Sequence, residues 1–363
     1  MDRLIFGSGV FIAAFLVSAL IVPLSRLLAR RFEVLDTPGH RKLHASPTPR
    51  LGGIAVFVAF TSVVVSGQWL APWLQDLPSA RSLMGASILA MQDIPRVEAK
   101  LVALLLGGTL AFVVGLLDDV LGSRFPVAAK LAGQILAAAI PIAAGIRTTF
   151  MPWEWLDVVV TLLWIVGMTN AFNLLDNMDG LSAGVALVAT GIILLNAWTR
   201  GGFFVSAILL AFMGSLLGFL LHNWQPASVF LGDCGSLFIG FVMATLTILD
   251  RYVTTASSSY FPVLMPVVVL AIPLVDTLTV MAIRTREGRP IHVGDNRHLS
   301  HRLVDIGFSR KEAVVFIYLA TFCLGIGASF LRSATPGETF LILLQSAGIV
   351  LLILRLMFVE RRG

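Results

Sequence analysis

Five clusters of polar residues interrupt an otherwise apolar sequence, and the simplest is a pair of adjacent carboxylates. Asp118 and Asp119 follow the apolar run 101–117. Adjacent carboxylates repel each other, so at an interface of low dielectric one of them favours a cation or a proton as its neighbour. The pair suits a metal site or a general base, although two solvated charges at a helix end would give the same pattern.

A denser cluster is the segment N-A-F-N-L-L-D-N-M-D-G, residues 170–180, at the end of another apolar run. If the helix continues, Asn170, Asn173 and Asn177 share one face at positions i, i+3 and i+7. The segment also contains Asp176 and Asp179. Five amide and carboxyl groups are costly at a membrane edge unless they face a polar cavity. A simple exit from the membrane requires only one or two of them, so the segment predicts a polar site.

A third carboxylate lies between glycines. In V-F-L-G-D-C-G-S-L, Asp233 is flanked by Gly232 and precedes a new apolar run. Glycine permits close backbone approach and unusual dihedral angles, so Asp233 could act as a ligand of a hard metal ion. A helix N-cap is an alternative role, compatible with the first, because Asp is a favoured capping residue.

Two further segments supply cationic groups. In D-N-R-H-L-S-H-R-L, His298, His301 and Arg302 fall at i, i+3 and i+4, so one helical turn presents all three. Imidazole beside guanidinium suits a diphosphate; zinc is the alternative, but no third ligand is evident nearby in the sequence. The first loop, R-K-L-H-A-S-P-T-P-R-L-G-G, contains prolines that exclude a helix. Its basic side chains are Arg41, Lys42, His44 and Arg50.

The elements that must position these groups are membrane-spanning helices. The 363 residues are 57% hydrophobic and 13% charged, with a mean hydropathy of +0.90, whereas soluble domains carry about 25% charged residues. The composition therefore predicts an all-α, polytopic membrane protein and excludes a soluble one. A helical span takes about 20 apolar residues, and the whole chain, 1–363, is expected to form one domain. We predict about eleven spans, at 4–28, 51–67, 101–117, 129–146, 155–171, 181–198, 203–221, 235–249, 261–283, 313–331 and 338–358.

The distribution of basic residues predicts the orientation. With the amino terminus outside, 18 Lys and Arg residues lie on the cytoplasmic side and eight lie outside, which satisfies the positive-inside rule. The carboxyl terminus is then cytoplasmic, and every polar cluster falls on the cytoplasmic face. A transporter needs polar residues near mid-membrane, so this arrangement favours an enzyme at the inner interface. The residue types suit magnesium-assisted phosphoryl transfer, and the membrane setting suggests that one substrate is a lipid.

The chain resembles the polyprenyl-phosphate N-acetylhexosamine-1-phosphate transferase superfamily, glycosyltransferase family 4. Within it, the chain is most similar to the branch that transfers N-acetylglucosamine 1-phosphate to undecaprenyl phosphate. The resemblance covers nearly the whole chain and rests on five motifs in family order: R-K-L-H-A-S-P-T-P-R-L-G-G, G-L-L-D-D, N-A-F-N-L-L-D-N-M-D-G-L, F-L-G-D-C-G-S-L and H-L-S-H-R-L. It implies ten or eleven transmembrane helices with a cytoplasmic active site. It also implies a UDP-sugar donor, an undecaprenyl phosphate acceptor, UMP as a product and a place in bacterial cell-envelope assembly at the inner membrane.

The resemblance assigns catalytic and metal-binding roles by motif. Asp233, with Asn173 beside it, would bind Mg²⁺, which Mn²⁺ can replace. Asp118 and Asp119 would position or deprotonate the attacking lipid phosphate. The residues assigned to catalysis are Asp118, Asp119, Asp176 and His301.

The resemblance also assigns contacts with the substrates. Phe230 would stack on uracil, Asp179 would help to hold the nucleoside and Asn223 would line the site. Lys42 and Thr48 would contact a substrate phosphate or the nucleotide, whereas the His/Arg segment would bind the diphosphate and sugar. The predicted substrate-binding residues are Lys42, Thr48, Asn170, Asn173, Asp179, Asn223, Phe230, His298 and Arg302.

Several alternatives stay open at this level. The muramoyl-pentapeptide branch carries three successive histidines where this chain reads His298-Leu-Ser-His301, so the sugar is less defined than the reaction. A lipid flippase or transporter is supported by Asp276 within the span 261–283. Direct attack by the lipid phosphate, which needs no enzyme nucleophile, competes with a covalent aspartyl intermediate. The expected partners are the donor, the acceptor and the bilayer, with a homodimer open and no nucleic acid.

Overall fold

The computed structural model describes residues 2–36, 47–76, 94–249, 261–289 and 297–358. Within these ranges the fold is a bundle of thirteen α-helices with one two-stranded antiparallel ladder, in which β1 (Leu35–Asp36) pairs with β2 (Thr48–Pro49). The helices are α1 (Asp2–Arg31), α2 (Gly53–Asp76), α3 (Ile94–Leu121), α4 (Val127–Ala143), α5 (Glu154–Leu175), α6 (Leu181–Thr199), α7 (Phe203–Asn223), α8 (Gly232–Leu249), α9 (Met265–Val269), α10 (Ala271–Arg286), α11 (Leu299–Asp305), α12 (Arg310–Ser329) and α13 (Pro336–Met357).

Long apolar helices confirm the predicted all-α, polytopic membrane fold. In the described ranges, nine helices are long and apolar enough to cross a membrane, and α9 with α10 makes a tenth if the bent pair is one span. The remaining predicted span coincides with α4, an apolar helix of 17 residues. Each predicted span thus falls on helical structure, while the number eleven itself stays a prediction.

The predicted span 261–283 differs from a continuous helix. Its two parts, α9 and α10, meet at Leu270 with a bend of 70°. Pro273 follows three residues later, and a proline ring removes one helical hydrogen bond and clashes with the carbonyl group four residues before it. That carbonyl belongs to Val269, the last residue of α9, so the proline accounts for the break.

Helix α8 lies at the centre of the bundle and is packed against α3 and α5. In its apolar stretch, 83% of the residues are buried. The approach of α3 to the amino-terminal end of α8 requires Gly115, because a Cβ atom there would lie 2.2 Å from the carbonyl oxygen of Asp233. This close contact brings the carboxylates at the end of α3 beside those at the start of α8.

Candidate active site

A lysine holds the ends of three helices together. Lys130, in the first turn of α4, donates from Nζ to Asp118 Oδ2 of α3 at 2.7 Å and to Asp233 Oδ2 of α8 at 2.6 Å. The same Nζ donates to Asn173 Oδ1 of α5 at 3.2 Å. Asn173 in turn donates from Nδ2 to Asp233 Oδ1 at 3.0 Å and to Ser236 Oγ at 2.8 Å. We call Asp118, Lys130, Asn173 and Asp233 the acidic cluster.

The second aspartate of the pair has a different environment. The side chain of Asp119 is fully buried, and its Oδ1 and Oδ2 accept the backbone N–H groups of Asp233 and Cys234 at 3.0 and 2.9 Å. These N–H groups belong to the first turn of α8, where a carboxylate satisfies unpaired donors and complements the helix dipole. Asp119 thus caps α8 from a neighbouring helix, and it fixes the backbone that carries Asp233.

Gly232 permits the tight approach of the first loop to this helix start. Its φ is +75°, and a Cβ atom there would lie 2.0 Å from the carbonyl oxygen of Arg50. The backbone N–H of Phe230 donates to Pro49 O at 2.7 Å, and Gly52 N donates to Phe230 O at 2.9 Å. The first-loop motif and the motif F-L-G-D-C-G-S-L therefore meet as paired backbone segments. Phe230 is half-buried beside β2. The predicted residue Thr48 is buried in β2.

Asp179 and Asn223 shape the two loops that flank the cluster. Asn223 Oδ1 accepts the N–H of Gly180 at 2.9 Å, and its Nδ2 donates to Val229 O at 2.9 Å. Asp179 Oδ2 accepts the N–H of Ala227 at 3.0 Å. Both side chains thus tie the loop after α5 to the loop after α7, so they support the predicted nucleotide site through its backbone.

Asn170 lies one helical turn before Asn173 on α5 and is paired with a residue that the sequence analysis missed. Its Nδ2 donates to Gln134 Oε1 at 2.6 Å, and Gln134 Nε2 donates back to Asn170 Oδ1 at 3.2 Å. Gln134 is buried and lies one turn after Lys130 on α4. The amide pair joins α4 to α5 behind the acidic cluster and positions the two helices, while the substrate-binding role of Asn170 stays a prediction.

The His/Arg segment is anchored by a buried carboxylate. Asp276 of α10 is 2% exposed; its Oδ2 lies 2.7 Å from His298 Nδ1, and its Oδ1 accepts the N–H of Leu299 at 2.7 Å. Next along the chain, Ser300 donates to Asn177 Oδ1, which links this segment to the loop after α5. The short helix α11 therefore begins at a fixed place beside the site.

His301 and Arg302 occupy the first turns of α11. Burial, together with the neighbouring His298, lowers the pKa of His301. Arg302 is partly exposed, and its Nη1 lies 4.0 Å from Asp305 Oδ2. Its Nε is buried and makes no hydrogen bond within the part of the chain that the structure describes. These two side chains can therefore offer donors to an anion.

Asp176 follows α5 and is half-buried near the acidic cluster. Burial raises the pKa of Asp176 well above its ordinary value, and the negative charge of Asp233 adds to this effect. Lys42, the other predicted substrate contact of the first loop, lies outside the described residues.

The two predicted magnesium ligands, Asp233 and Asn173, lie in the acidic cluster together with Asp118, to which the resemblance assigns a catalytic role. Three oxygens, Asp118 Oδ2, Asn173 Oδ1 and Asp233 Oδ2, converge on one position, and the ammonium group of Lys130 lies there. Oxygen ligands of this kind are those that Mg²⁺ prefers. Among the described residues, no group of three His, Cys, Asp or Glu side chains could hold a metal ion; the three oxygens here come from two aspartates and an asparagine. The donor set fits a hard divalent cation.

Residues 101–250 match the profile of glycosyl transferase family 4. The chain is 31% identical over 346 residues to a probable undecaprenyl-phosphate N-acetylglucosaminyl 1-phosphate transferase of Bacillus subtilis, covering 92% of this chain and 87% of that protein. It is 30% identical to the decaprenyl-phosphate N-acetylglucosaminephosphotransferase of Mycolicibacterium smegmatis, covering 93% and 85%. A phospho-N-acetylmuramoyl-pentapeptide-transferase of Latilactobacillus sakei is 33% identical over 57% of this chain and 64% of its own length.

Fold, site and relatives together define an integral-membrane sugar-phosphate transferase. The chain belongs to glycosyl transferase family 4, in the branch of the polyprenyl-phosphate N-acetylglucosamine-1-phosphate transferases. The resemblance that the five motifs indicate is thereby confirmed.

Proposed function

We propose that the protein transfers N-acetylglucosamine 1-phosphate from UDP-N-acetylglucosamine to undecaprenyl phosphate. The products are a lipid-linked diphosphate sugar and UMP, and the reaction is the first step of cell-envelope polysaccharide assembly at the bacterial inner membrane. The observation that carries the proposal is the acidic cluster, whose three oxygens meet at one cation position. The cluster lies next to residues 224–231 between α7 and α8, which we call the Phe230 loop. The names of the relatives from Bacillus subtilis and Mycolicibacterium smegmatis support the sugar and the polyprenyl phosphate acceptor.

We infer that Asp118, Asn173 and Asp233 hold Mg²⁺, or Mn²⁺ in its place. When bound, such an ion neutralises charge on a diphosphate and polarises its phosphoryl oxygens. Lys130 would have to withdraw its ammonium from the position of the ion, but it would stay beside the cluster because its stem starts in the first turn of α4. Its ammonium can then neutralise a substrate phosphate, which is the main catalytic demand of phosphoryl transfer.

The environments of the two adjacent aspartates favour direct attack by the lipid phosphate. Both oxygens of Asp119 are engaged by backbone N–H groups, so its use as a nucleophile would uncap α8. Asp118 is engaged by Lys130 and serves as a ligand in this proposal. In the direct reaction, an oxygen of undecaprenyl phosphate forms a bond to the β-phosphorus. The bond from that phosphorus to the bridging oxygen breaks, and UMP leaves with the electron pair.

The donor would extend from the Phe230 loop toward α11. Phe230 would stack on uracil, while Asp179 and Asn223 hold the loops that surround the nucleoside. His298, His301 and Arg302 would meet the diphosphate and sugar, and Asp276 fixes the imidazole of His298. Because Asp276 is engaged in this way, its carboxylate no longer favours a transporter.

The muramoyl-pentapeptide donor is the second candidate within the family, supported by the relative from Latilactobacillus sakei. Leu299 and Ser300 replace two histidines of that branch, and both are 1% exposed. They therefore act on sugar choice only through the position of α11 and its contact with Asn177. We favour N-acetylglucosamine because the longer and more complete matches carry that sugar in their names.

The activity test uses purified protein with undecaprenyl phosphate, Mg²⁺ and a panel of UDP-sugars, followed by mass analysis of the lipid product. We expect UMP release that depends on the lipid, stops in EDTA and returns with Mg²⁺ or Mn²⁺. The value of kcat/KM should be higher for UDP-N-acetylglucosamine than for the pentapeptide donor. Equal values, or the reverse order, would contradict the sugar assignment, and full turnover in EDTA would contradict the metal assignment.

The proposed orientation has the amino terminus outside and the carboxyl terminus in the cytoplasm. Single cysteines at Ser123, between α3 and α4, and at Ser333, between α12 and α13, give a matched pair because both positions are exposed. In a background without Cys234 and Cys323, an impermeant thiol reagent added to intact cells should label only the variant at position 333. Labelling of the variant at position 123 would place the acidic cluster on the outer face.

A further inference from the structure

Arg50 lies beside the acidic cluster, near the Asp233 oxygen that Lys130 does not bind. Its Nη2 is 3.9 Å from Asp119 Oδ1 and 3.9 Å from Asp233 Oδ1, and its Nη1 is 3.8 Å from Asp36 Oδ1. Asp233 is thus flanked by two cations, since its Oδ2 binds Lys130. The Arg50 side chain is 39% exposed, whereas that of Asp119 is fully buried. The guanidinium therefore forms part of the solvent-facing surface of the cluster.

The backbone of Arg50 is held more firmly than its side chain. Its N–H donates to Val34 O at 3.2 Å, and its neighbour Pro49 accepts the N–H of Phe230 at 2.7 Å. The backbone of Arg50 therefore belongs to the paired segments that also contain Phe230. The side chain of Arg50 then extends to Asp233, which lies three positions after Phe230. Arg50 spans the interval between the proposed uracil contact and the proposed metal ligands.

The distances from the guanidinium to the three carboxylates exceed the range of hydrogen bonds. Arg50 thus forms ion pairs with these carboxylates that balance charge, but its guanidinium N–H groups donate no hydrogen bond to them. A guanidinium fork matches the oxygens of a phosphate in a paired geometry. Turning toward a phosphate between Phe230 and Asp233 would break no hydrogen bond to these carboxylates.

We propose that Arg50 is a substrate-binding residue that contacts the phosphate attached to uridine, the group that leaves as UMP. The inference rests on the proposed function, because it requires a uridine nucleotide at the Phe230 loop. The two cations of the site then contact different phosphates. Arg50 contacts the leaving phosphate, whereas Lys130 contacts a substrate phosphate on the side of the cluster where Asp118 lies. A purely structural role, in which Arg50 only balances Asp119 and Asp233, makes a different prediction.

Binding of UMP and of uridine separates the two roles, because the ligands differ only in the phosphate. With purified protein and Mg²⁺, we expect wild type to bind UMP more tightly than uridine in calorimetric or displacement titrations. Arg50→Gln should weaken UMP binding about tenfold or more, as expected for a lost charge-assisted contact, and leave uridine binding unchanged. Arg124→Gln, at an exposed arginine between α3 and α4, is the matched control and should behave as wild type.

Arg50→Lys covers the case in which the Gln variant fails to fold, because it keeps the charge that balances the carboxylates. It should also lose much of the preference for UMP, since an ammonium cannot reproduce the paired contact. An unchanged ratio of UMP to uridine affinity in the folded variants would overturn the inference. If wild type binds neither UMP nor UDP-N-acetylglucosamine, the proposed function itself fails. If wild type binds both and the Arg50 variants bind them equally well, only the role of Arg50 fails.

Discussion

Replacement of Asp119 by Asn should destabilise the fold, whereas the same change at Asp118 should mainly stop catalysis. Asp119 accepts the N–H groups of Asp233 and Cys234 at the start of α8, while Asp118 binds the ammonium of Lys130. The two residues are adjacent in the chain and the chemical change is identical. Each variant is therefore a control for the other.

The size of the loss in stability follows from the contacts of Asp119 with the first turn of α8. Asp119→Asn keeps one oxygen that can accept an N–H but loses the second acceptor and the negative charge. A hydrogen bond to a charged group contributes about 1.5–3 kcal/mol, and a negative charge at a helix N-terminus contributes about 0.3–1 kcal/mol. Relief of a buried charge and of its repulsion with Asp233 offsets part of the loss. The free energy of unfolding should fall by about 1–3 kcal/mol for Asp119→Asn and by less than about 1 kcal/mol for Asp118→Asn.

Thermal unfolding of the detergent-solubilised proteins, followed by tryptophan fluorescence at one heating rate, measures the difference in stability. For a chain of 363 residues, the midpoint should fall by about 1–4 °C for Asp119→Asn and by no more than about 1 °C for Asp118→Asn. UMP release by Asp118→Asn should fall at least about 100-fold at a temperature where it is folded. A wild-type midpoint for Asp119→Asn, or an equal loss of stability in both variants, would refute the assignment of the cap.

Lys130→Gln should stop turnover yet tighten Mn²⁺ binding about tenfold, because the carboxylates of the acidic cluster lose a competing cation; weaker binding in a calorimetric titration would contradict the cation site. Gln134→Leu should lower kcat about tenfold with little change in KM for the donor, since the spacing of α4 and α5 changes; an unchanged kcat would make the amide pair dispensable. Donor affinity should rise as the pH falls from about 8 to about 6, because burial lowers the pKa of free His301 while a bound diphosphate raises it, so that binding takes up a proton. His301→Gln should flatten this dependence of Kd on pH. If the dependence persists in His301→Gln but is lost in His222→Gln, it arises from His222 and the prediction is wrong.

The residues of the acidic cluster differ in how far the sequence predicts them. Asp118, Asn173 and Asp233 each end or begin an apolar run, and polar residues at such places indicate a shared interface. Lys130 of the cluster and Gln134 behind it give no comparable signal, because they are two isolated polar residues in an otherwise apolar helix. Their partners lie 12 to 103 residues away in the chain, and only the packing of α3, α4, α5 and α8 brings them together.

The separate role of Asp119 is equally hidden in the sequence. The motif D-D presents two identical side chains, and their difference arises from the approach of α3 to the first turn of α8. The break at Leu270 has a local signal in Pro273, but Pro23 lies within α1, which continues to Arg31. A proline alone therefore does not decide where a span ends. In the sequence, Asp276 lacks a visible partner and so favours a transporter, because His298 is 22 residues away.

The most direct test of the central claim follows the β-phosphate of the donor. UDP-N-acetylglucosamine labelled in that phosphate is incubated with the purified protein, undecaprenyl phosphate and Mg²⁺, and the products are separated. Transfer of a sugar 1-phosphate predicts that the label enters the lipid product and that the released nucleotide is unlabelled UMP, in equal amounts. Labelled UDP as the released nucleotide, with unlabelled sugar on the lipid, would contradict the account.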